Sequence, residues 1–387
     1  MKIGIVGGCG HIGLPLSLLI AKNHKTIVID NSKKNVELVK KRKPPFQEDL
    51  INFYLKKKYL HKNLSFCNDL KELKKNTLDA IIIAIGTPVD EWGNPITEDL
   101  TQICTKSSKI LKKNGILILR STVTPGFTRN LSKKIKKKIK IFYCPERIAQ
   151  GKSFTEIFKL PQIVGKTNKK DNIKSLKGIF KQIIPSYLET DATSAELTKL
   201  FANFYRYASF AISNQIYTAS KNFNSSPNEV ISLIKYKYPR SEGISSPGLT
   251  AGPCLYKDTQ QLVASLNNSF PMGQVSLTIN EGMAYEIATE TIQRCGNNDI
   301  VILGASFKAN CDDHRSSLSF KIFKILALRQ KNKVFLHDPY VKHPKVINTL
   351  KGINLNKVFL VVASPHKFYK NIINNFPKKK IINVWKD

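Results

Sequence analysis

The chain opens on a strand pattern that runs into a glycine-rich turn, and this stretch restricts the fold more than any other. Residues 2–7 read KIGIVG, and GCGHIG at 8–13 is followed by an apolar helical pattern. Three glycines at this spacing permit a tight turn, a close approach of the backbone to a pyrophosphate and close packing of helix on strand. The helix N-terminus would then face the phosphates. The turn residues expected at such a cofactor are Gly8, Gly10, His11, Ile12 and Gly13.

An acidic residue supports the same interpretation. Asp30 ends the second predicted strand, 22 residues beyond Gly8. A carboxylate at that place accepts hydrogen bonds from the adenosine ribose and repels a 2′-phosphate, so NAD is favoured over NADP. The alternative, a glycine turn without a ligand, is weaker because the strand, the helix and the acid all occur together.

Short apolar runs alternate with amphipathic stretches at both ends of the chain, which is typical of parallel sheets with crossover helices. A long helical pattern from about residue 190, capped by Asp191 or Thr193, separates the two ends. The fold class is therefore α/β, with two Rossmann-like doubly wound domains joined by a long central helical segment, divided as 1–188, 189–294 and 295–387. Strands are predicted at 2–7, 25–30, 79–86, 115–122, 140–144, 162–166, 299–307, 332–339, 357–364 and 379–385.

The charge is strongly positive, with 62 Lys and Arg against 28 Asp and Glu and a net charge of +34. The excess is mostly lysine spread through every segment, which indicates a lysine-biased composition rather than a specific nucleic-acid partner. The densest basic run, at 131–142, places Leu131, Ile135 and Ile139 on one stripe and so predicts a solvated helix docked on a sheet.

No apolar run approaches the roughly 20 residues that span a bilayer, so no membrane association is expected. The seven cysteines are widely spaced, without a CxxC pair or a metal-ligand cluster. Reduced thiols, a cytoplasmic location and no bound metal are expected.

Polar residues follow several predicted strands, at the sheet edge where open α/β folds bind ligands. Thr87 and Pro88 follow one strand, and Ser121 and Thr122 end another. Glu146, followed by Arg147, ends the next; its carboxylate could act as a base or orient a water, or form a surface salt bridge.

The central segment carries two further features. Lys199 and Asn203 are four residues apart on one helix face, and the apolar neighbours of Lys199 allow it to face a pocket rather than solvent. The loop SSPGLTAGPCLYKD at 245–258 brings Cys254 close to Lys257 and Asp258.

Seven motifs together resemble one family. GGCGHIGLP, GTP, STVTPG, PER, ELTKLFAN, GPCLYKD and GASFKANCDDHRSS occur in the order and spacing of the UDP-glucose/GDP-mannose dehydrogenase family. The resemblance covers almost the whole chain. It implies oxidation of C6 of a nucleotide sugar to a carboxylate with two NAD, a C-terminal domain that binds the UDP-sugar, a homodimer and a role in polysaccharide biosynthesis.

The resemblance also implies roles for residues. Cys254 matches the nucleophile that forms a thiohemiacetal and then a thioester. Lys199 and Asn203 match residues that stabilise the oxyanion and hold a water, and Asp258 matches one that activates water and orders Lys199. Residues expected at the cofactor, beyond the glycine turn, are Asp30, Thr87, Pro88, Ser121, Thr122 and Arg315. Thr122 and Glu146 match water-positioning residues, and residues expected at the substrate are Glu146, Arg147, Lys199, Asn203, Arg240, Gly252 and Lys308, with Arg240 reaching the sugar of the neighbouring subunit.

Departures from the family pattern bear on the substrate. Gln150 stands where glucose-type members carry a second glutamate, which resembles members acting on UDP-N-acetylmannosamine or UDP-N-acetylglucosamine. The Lys-Asp pair of CLYKD instead resembles the pair found in UDP-glucose 6-dehydrogenases, so oxidation of UDP-glucose is the alternative function. Two further departures are Ala251 in place of a glycine and Asn214-Gln215 in place of Asn-Glu. Because of them, an alternative of another class remains: a catalytically silent protein that binds nucleotide sugar or NAD.

Overall fold

A computed structural model describes residues 1–250, 252–267 and 269–385. The chain divides into two compact units, Met1–Phe201 and Ala202–Asp387. The division falls within the long helix that the sequence predicts. The three domains expected from the sequence, with boundaries at residues 188 and 294, stay a prediction.

The first unit, whose residues are all described, is built on one eight-stranded sheet in the order β3-β2-β1-β4-β5-β6-β7-β8. Every neighbouring pair is parallel except β6 and β7. The strand order reverses between β1 and β4, which creates the crevice where doubly wound sheets bind ligands. The strands are β1 (Lys2–Val6), β2 (Lys25–Ile29), β3 (Leu64–Cys67), β4 (Leu78–Ile83), β5 (Leu111–Leu119), β6 (Lys140–Tyr143), β7 (Gln162–Lys166) and β8 (Tyr187–Asp191).

Helices cover both faces of this sheet, and the strands are therefore apolar on both sides. Ile82 faces one apolar cluster, whereas Ile81 and Ile83 face the other. The helices are α1 (Gly13–Ile20), α2 (Lys33–Lys40), α3 (Ile51–Leu55), α4 (Tyr59–Asn63), α5 (Glu98–Ile110), α6 (Phe127–Lys134), α7 (Ser153–Glu156) and α8 (Lys174–Ile179).

The long helix α9 (Ala192–Asn222) has 31 residues. Asp191 caps it, since its Oδ1 accepts the Ser194 N–H at 3.1 Å. Of the two predicted caps, Asp191 is thus the one that binds the helix.

The described part of the second unit carries helices and a parallel four-stranded sheet in the order β10-β9-β11-β12. Its apolar clusters again lie on both faces of the sheet. The elements are α10 (Pro227–Lys235), α11 (Leu255–Ser265), α12 (Pro271–Cys295), β9 (Asp299–Leu303), α13 (Leu318–Arg329), β10 (Val334–His337), β11 (Val358–Val362), α14 (Lys370–Asn375) and β12 (Ile381–Ile382). The predicted fold class is confirmed.

The structure differs from the sequence predictions in three strands and in one helix. The short strands β3 and β8 were not predicted, and β12 is much shorter than the predicted 379–385. The predicted helix over 131–142 is wrong: α6 ends at Lys134, and Ile135 is extended with φ −87° and ψ 100°. A helix there would set lysines three and four residues apart, which repel one another. In the structure Lys137 instead donates to Asn76 Oδ1 at 2.6 Å.

Candidate active site

The glycine turn has a backbone path that only glycine allows. A Cβ added to Gly13 would lie 2.0 Å from the carbonyl oxygen of Gly7, which itself has φ +76°. Gly8 is similarly confined, because its Cβ would lie 2.8 Å from the Ile5 carbonyl oxygen. Helix α1 begins after Ile12, an apolar residue whose side chain has no acceptor for the first helical N–H groups. The turn therefore fits a pyrophosphate bound by backbone N–H groups.

Asp30 lies against this turn. Its Oδ2 accepts the Cys9 N–H at 2.9 Å and its Oδ1 accepts the Ser32 N–H at 3.0 Å. Because each carboxylate oxygen can accept more than one hydrogen bond, this placement leaves capacity for ribose hydroxyls. The position of Asp30 fits the expected contact with the ribose of NAD.

Ser121 joins the ends of two parallel strands. Its hydroxyl donates to the Ile85 carbonyl at 2.7 Å and accepts the Ile85 N–H at 3.1 Å. Thr87, just beyond Ile85, is buried, Pro88 is exposed and Thr122 is half-buried. The two predicted turns thus lie side by side at the carboxyl ends of β4 and β5.

Glu146 forms a buried ion pair, not the surface salt bridge of the sequence alternative. Its Oε2 accepts from the Arg120 guanidinium, and Arg120 also donates to Gln162 Oε1 at 2.8 Å. The other oxygen, Oε1, accepts the N–H groups of Arg147 at 2.8 Å and Ile148 at 2.9 Å. This arrangement holds the turn after β6 rigidly against β5.

Sequence reasoning missed Arg120. It immediately precedes Ser121 and Thr122, and its side chain is only 1% exposed. The available signal was a lone arginine at the end of the apolar run GILILRST. A cation in such a run requires a buried acidic partner.

A second missed residue, Glu196, lies in the first turns of α9. Its carboxylate is buried and accepts the N–H groups of Gly126 at 2.6 Å and Thr128 at 2.8 Å, capping α6. Burial raises the pKa of Glu196, while the bonds from Thr128 and Gly126 oppose that rise. Glu196 thereby ties the start of the long helix to the loop that follows Thr122.

The turn after Glu146 extends to the glycine turn. Gln150 Nε2 lies 3.3 Å from Nδ1 of His11, whose ring centroid is 3.9 Å from that of Phe46. Glu48, also missed, accepts the N–H groups of Gly151 at 2.9 Å and Ser153 at 2.7 Å. The amide of Gln150 therefore lies beside the predicted cofactor turn.

In the second unit, Cys254 stands at the start of α11. All seven cysteines are described; six are buried, and Cys254 is exposed. It is the N-cap residue of α11, and its carbonyl accepts the Asp258 N–H at 2.9 Å. The positive end of a helix favours the thiolate form of a cysteine.

A buried polar group lies one turn into α11. Asp258 is 1% exposed, and its Oδ2 accepts from Nδ2 of Asn203 at 2.6 Å. The Lys257 ammonium is 2.7 Å from Oδ1 of Asp258. Lys257 is therefore a cationic partner of Asp258 in the structure. Lys199, half-buried, precedes Asn203 on α9 by four residues.

The loop 304–317 approaches the cysteine loop at Gly252. Gly252 has φ +103°, and a Cβ there would lie 2.4 Å from the Phe307 ring. Its N–H points to the Ser316 carbonyl at 3.4 Å. Arg315 forms a two-pronged pair with Asp313, with Nε 2.9 Å from Oδ1 and Nη2 2.7 Å from Oδ2.

Of the remaining predicted residues, Lys308 is half-buried on the same loop. Arg240 lies elsewhere, on an exposed turn after α10, over the ring of Tyr238. Ala251 is outside the described residues.

Asp338, a third missed acid, anchors the start of the 304–317 loop. Its Oδ2 accepts the Ala305 N–H at 2.7 Å and lies 2.9 Å from Nε2 of His366. Burial alone would raise the pKa of Asp338, but His366 and backbone N–H groups outweigh it and lower the pKa to about 2. The carboxylate is therefore charged throughout the physiological range.

Within the described ranges, no three His, Cys, Asp or Glu side chains cluster closely enough to hold a metal ion. Nor does that part of the chain contain a helix with the length and hydropathy needed to cross a bilayer.

Three family models match the chain along its length. They are the NAD binding domain, at 1–184, the central domain, at 193–281, and the UDP binding domain, at 301–383, of the UDP-glucose/GDP-mannose dehydrogenase family.

Similar proteins include enzymes named for two substrates. A UDP-N-acetyl-D-mannosamine dehydrogenase of Methanococcus vannielii is 27% identical, with 100% of this chain and 90% of the relative covered. A UDP-glucose 6-dehydrogenase of Campylobacter jejuni is 25% identical, with 94% of each chain covered. The solved structure of a UDP-D-ManNAc dehydrogenase from Pyrococcus horikoshii has a TM-score of 0.87 at 23% identity, with 98% of this chain and 93% of that chain covered.

Proposed function

The chain belongs to the UDP-glucose/GDP-mannose dehydrogenase family and is an NAD-dependent nucleotide-sugar dehydrogenase, and we propose that it oxidises C6 of UDP-N-acetylmannosamine or UDP-N-acetylglucosamine to the acid. The observation that carries the proposal is the exposed Cys254 at the N-terminus of α11, next to the buried Asn203–Asp258 pair. The uronate product would serve polysaccharide biosynthesis.

The proposed chemistry uses a thiol because an aldehyde does not readily release its hydrogen as hydride. NAD, when bound, accepts the hydride in each of the two oxidations. Between them, Sγ of Cys254 adds to the aldehyde carbon and a proton moves to the carbonyl oxygen, which gives a thiohemiacetal. Oxidation of this adduct leaves a thioester, and water then adds as the C–S bond breaks and the thiolate departs. One alcohol, two NAD and one water become one carboxylate, two NADH and three protons.

The other predicted residues have proposed tasks in these steps. Asn203 and Lys199 stabilise the oxygen that becomes negative when sulfur or water adds. Asp258 orients the water, and its bonds to Asn203 and Lys257 fix the carboxylate in one direction. Thr122 and Glu146 position water. Both carboxylate oxygens of Glu146 are hydrogen-bonded, one to Arg120 and one to the backbone, so Glu146 acts through a fixed turn rather than as a mobile base. Lys308, Arg315 and Gly252 are proposed to contact the ligands.

The choice of sugar rests on two facts. A relative that matches all of this chain is named for UDP-N-acetyl-D-mannosamine, and Gln150 places a neutral amide beside His11. UDP-glucose is the second candidate, because of the Lys257–Asp258 pair and the Campylobacter relative.

We expect NADH formation from UDP-N-acetylmannosamine or UDP-N-acetylglucosamine with a kcat/KM at least about tenfold above that for UDP-glucose, a difference of about 1.4 kcal/mol in the barrier. The measurement is NADH absorbance with each sugar nucleotide and saturating NAD. Faster turnover of UDP-glucose would favour the second candidate. Bound NAD and bound sugar nucleotide without NADH from any of the three would favour a catalytically silent protein.

We also propose a homodimer formed through the central helices. Tyr205 and Ile212 on α9 are 63% and 54% exposed, and Met272 and Val275 on α12 are 65% and 55% exposed. Large apolar side chains at such density mark an association surface, and a second copy offers the same surface through two-fold symmetry. Arg240, exposed after α10, could then reach a sugar on the second copy.

Sedimentation of the wild-type protein is expected to give twice the chain mass of 43.7 kDa. Ile212→Glu should shift the protein to monomer, since two glutamates would be buried in the symmetric interface. Leu328→Glu is the matched control, because Leu328 is 77% exposed on α13 and is not one of the four residues proposed for the interface. A wild-type monomer, or equal dissociation in both variants, would contradict the dimer.

A further inference from the structure

The loop that leads to Cys254 is held from two directions at Gly248. One contact is polar and comes from the long helix: Oδ1 of Asn214 accepts the Gly248 N–H at 2.9 Å. Asn214 is itself fixed, because its Nδ2 donates to Asn280 Oδ1 at 2.9 Å and both amides are fully buried. The peptide N–H of Gly248 therefore has a defined direction.

The second contact is apolar and comes from the far end of the chain. A Cβ added to Gly248 would lie 2.3 Å from Cζ3 of Trp385, so the indole ring rests directly on the glycine Cα. Any residue larger than glycine would have to displace the ring or the loop.

Trp385 is positioned by its own contacts. Its Nε1 donates to the Ala363 carbonyl, just after β11, at 3.2 Å. It follows Val384, which is 1% exposed, and packs against both apolar clusters of the second sheet. The ring is therefore a rigid surface offered by the sheet to the loop.

We propose that Trp385 is a positioning residue for the nucleophile: its indole fixes Gly248, and so the segment that ends six residues later at Cys254. This inference rests on the proposed function of Cys254. The loop has a second such contact at Gly252, against the Phe307 ring, two residues before Cys254. Displacements near 1 Å at a reacting atom cost about 100-fold in rate, which makes such support important.

A purely structural tryptophan would behave differently. If Trp385 only filled the core, its replacement would lower stability but leave the loop and the rate per folded molecule unchanged. Backbone hydrogen exchange at 245–253, together with the separation of kcat from the KM for NAD, distinguishes the two roles.

Hydrogen exchange is measured on the full-length protein without substrate. Trp385→Ala should speed exchange of the Gly248 amide at least tenfold and lower kcat at least tenfold, with the KM for NAD within twofold of wild type. Trp385→Phe keeps a ring against Gly248 and should recover most of both properties. Trp92→Ala, the control, removes the other tryptophan, which is 80% exposed, and should change neither.

A complementary pair tests the contact itself. Gly248→Ala should speed exchange and lower kcat because its methyl group meets the ring. In the double variant Gly248→Ala/Trp385→Ala that clash is absent, so the double variant should be no worse than Trp385→Ala alone. Additive losses would overturn the proposal, as would unchanged exchange at Gly248 in Trp385→Ala.

If Trp385→Ala does not fold, Trp385→Phe and Gly248→Ala test the inference instead. A folded Trp385→Phe variant that has lost most of its kcat, or a Gly248→Ala variant with wild-type exchange and kcat, would overturn it. Absence of turnover with every sugar nucleotide would remove the proposed function, whereas the exchange measurements would still decide whether Trp385 orders the loop.

Discussion

Replacing Cys254 by serine is expected to lower the rate of acid formation by at least about 10³-fold, because a serine hydroxyl is not ionised near neutral pH and adds poorly to an aldehyde. The product is quantified by mass spectrometry of the nucleotide sugar acid, alongside NADH. NAD binding, a property of the first unit, should be unchanged.

Cys104→Ser is the matched control for this variant. Cys104 lies in α5, is buried, and burial raises the pKa of its thiol to about 12, so it is not a nucleophile. Its serine variant should retain acid formation within about threefold, with a modest loss of stability from the buried hydroxyl. Equal losses of acid formation in both variants would remove the nucleophile assignment of Cys254.

Arg120→Met is expected to lower the free energy of unfolding by about 3–5 kcal/mol, since it leaves the Glu146 carboxylate buried without its cation. Arg120 and Glu146 are 1% and 8% exposed at their side chains. Gln162 Oε1 would lose its donor as well. The measurement is denaturant unfolding of the full-length protein, followed by circular dichroism.

Lys40→Met provides the comparison, because it breaks an ion pair with Glu37 whose partners are 45% and 56% exposed. That change should cost less than about 0.5 kcal/mol. Adding Glu146→Leu to Arg120→Met should recover much of the lost stability, since no charge is then left alone. Equal small losses in Arg120→Met and Lys40→Met would contradict a structural role for the buried pair.

The parts of the fold that the sequence predicts are those with local or periodic signals. The glycine turn and Asp30 carry their spacing within one βαβ unit, and the confined geometry of Gly13 shows why the spacing is strict. Residues 80–83 of β4 and 116–119 of β5 are buried, so they occur in the sequence as unbroken apolar runs. Asp191 caps α9 through a residue three positions away. Each of these features depends on neighbours in the chain.

The contacts that sequence reasoning missed join distant positions. Glu196 binds the backbone of Gly126, 70 residues earlier, and Asn214 binds Gly248, 34 residues later. Trp385 reaches Gly248 from almost the end of the chain. No local pattern distinguishes such a glutamate or asparagine from a solvated one. The incorrect prediction of a helix over 131–142 has a related cause. Lys137 donates a hydrogen bond to Asn76, which lies 61 residues earlier in the chain.

The central claim, a four-electron oxidation at C6 through Cys254, is tested most directly by the ratio of NADH to acid formed from UDP-N-acetylmannosamine in a complete reaction. The account predicts two NADH for each carboxylate, with no free aldehyde detected. One NADH for each product, with the aldehyde accumulating, would contradict it.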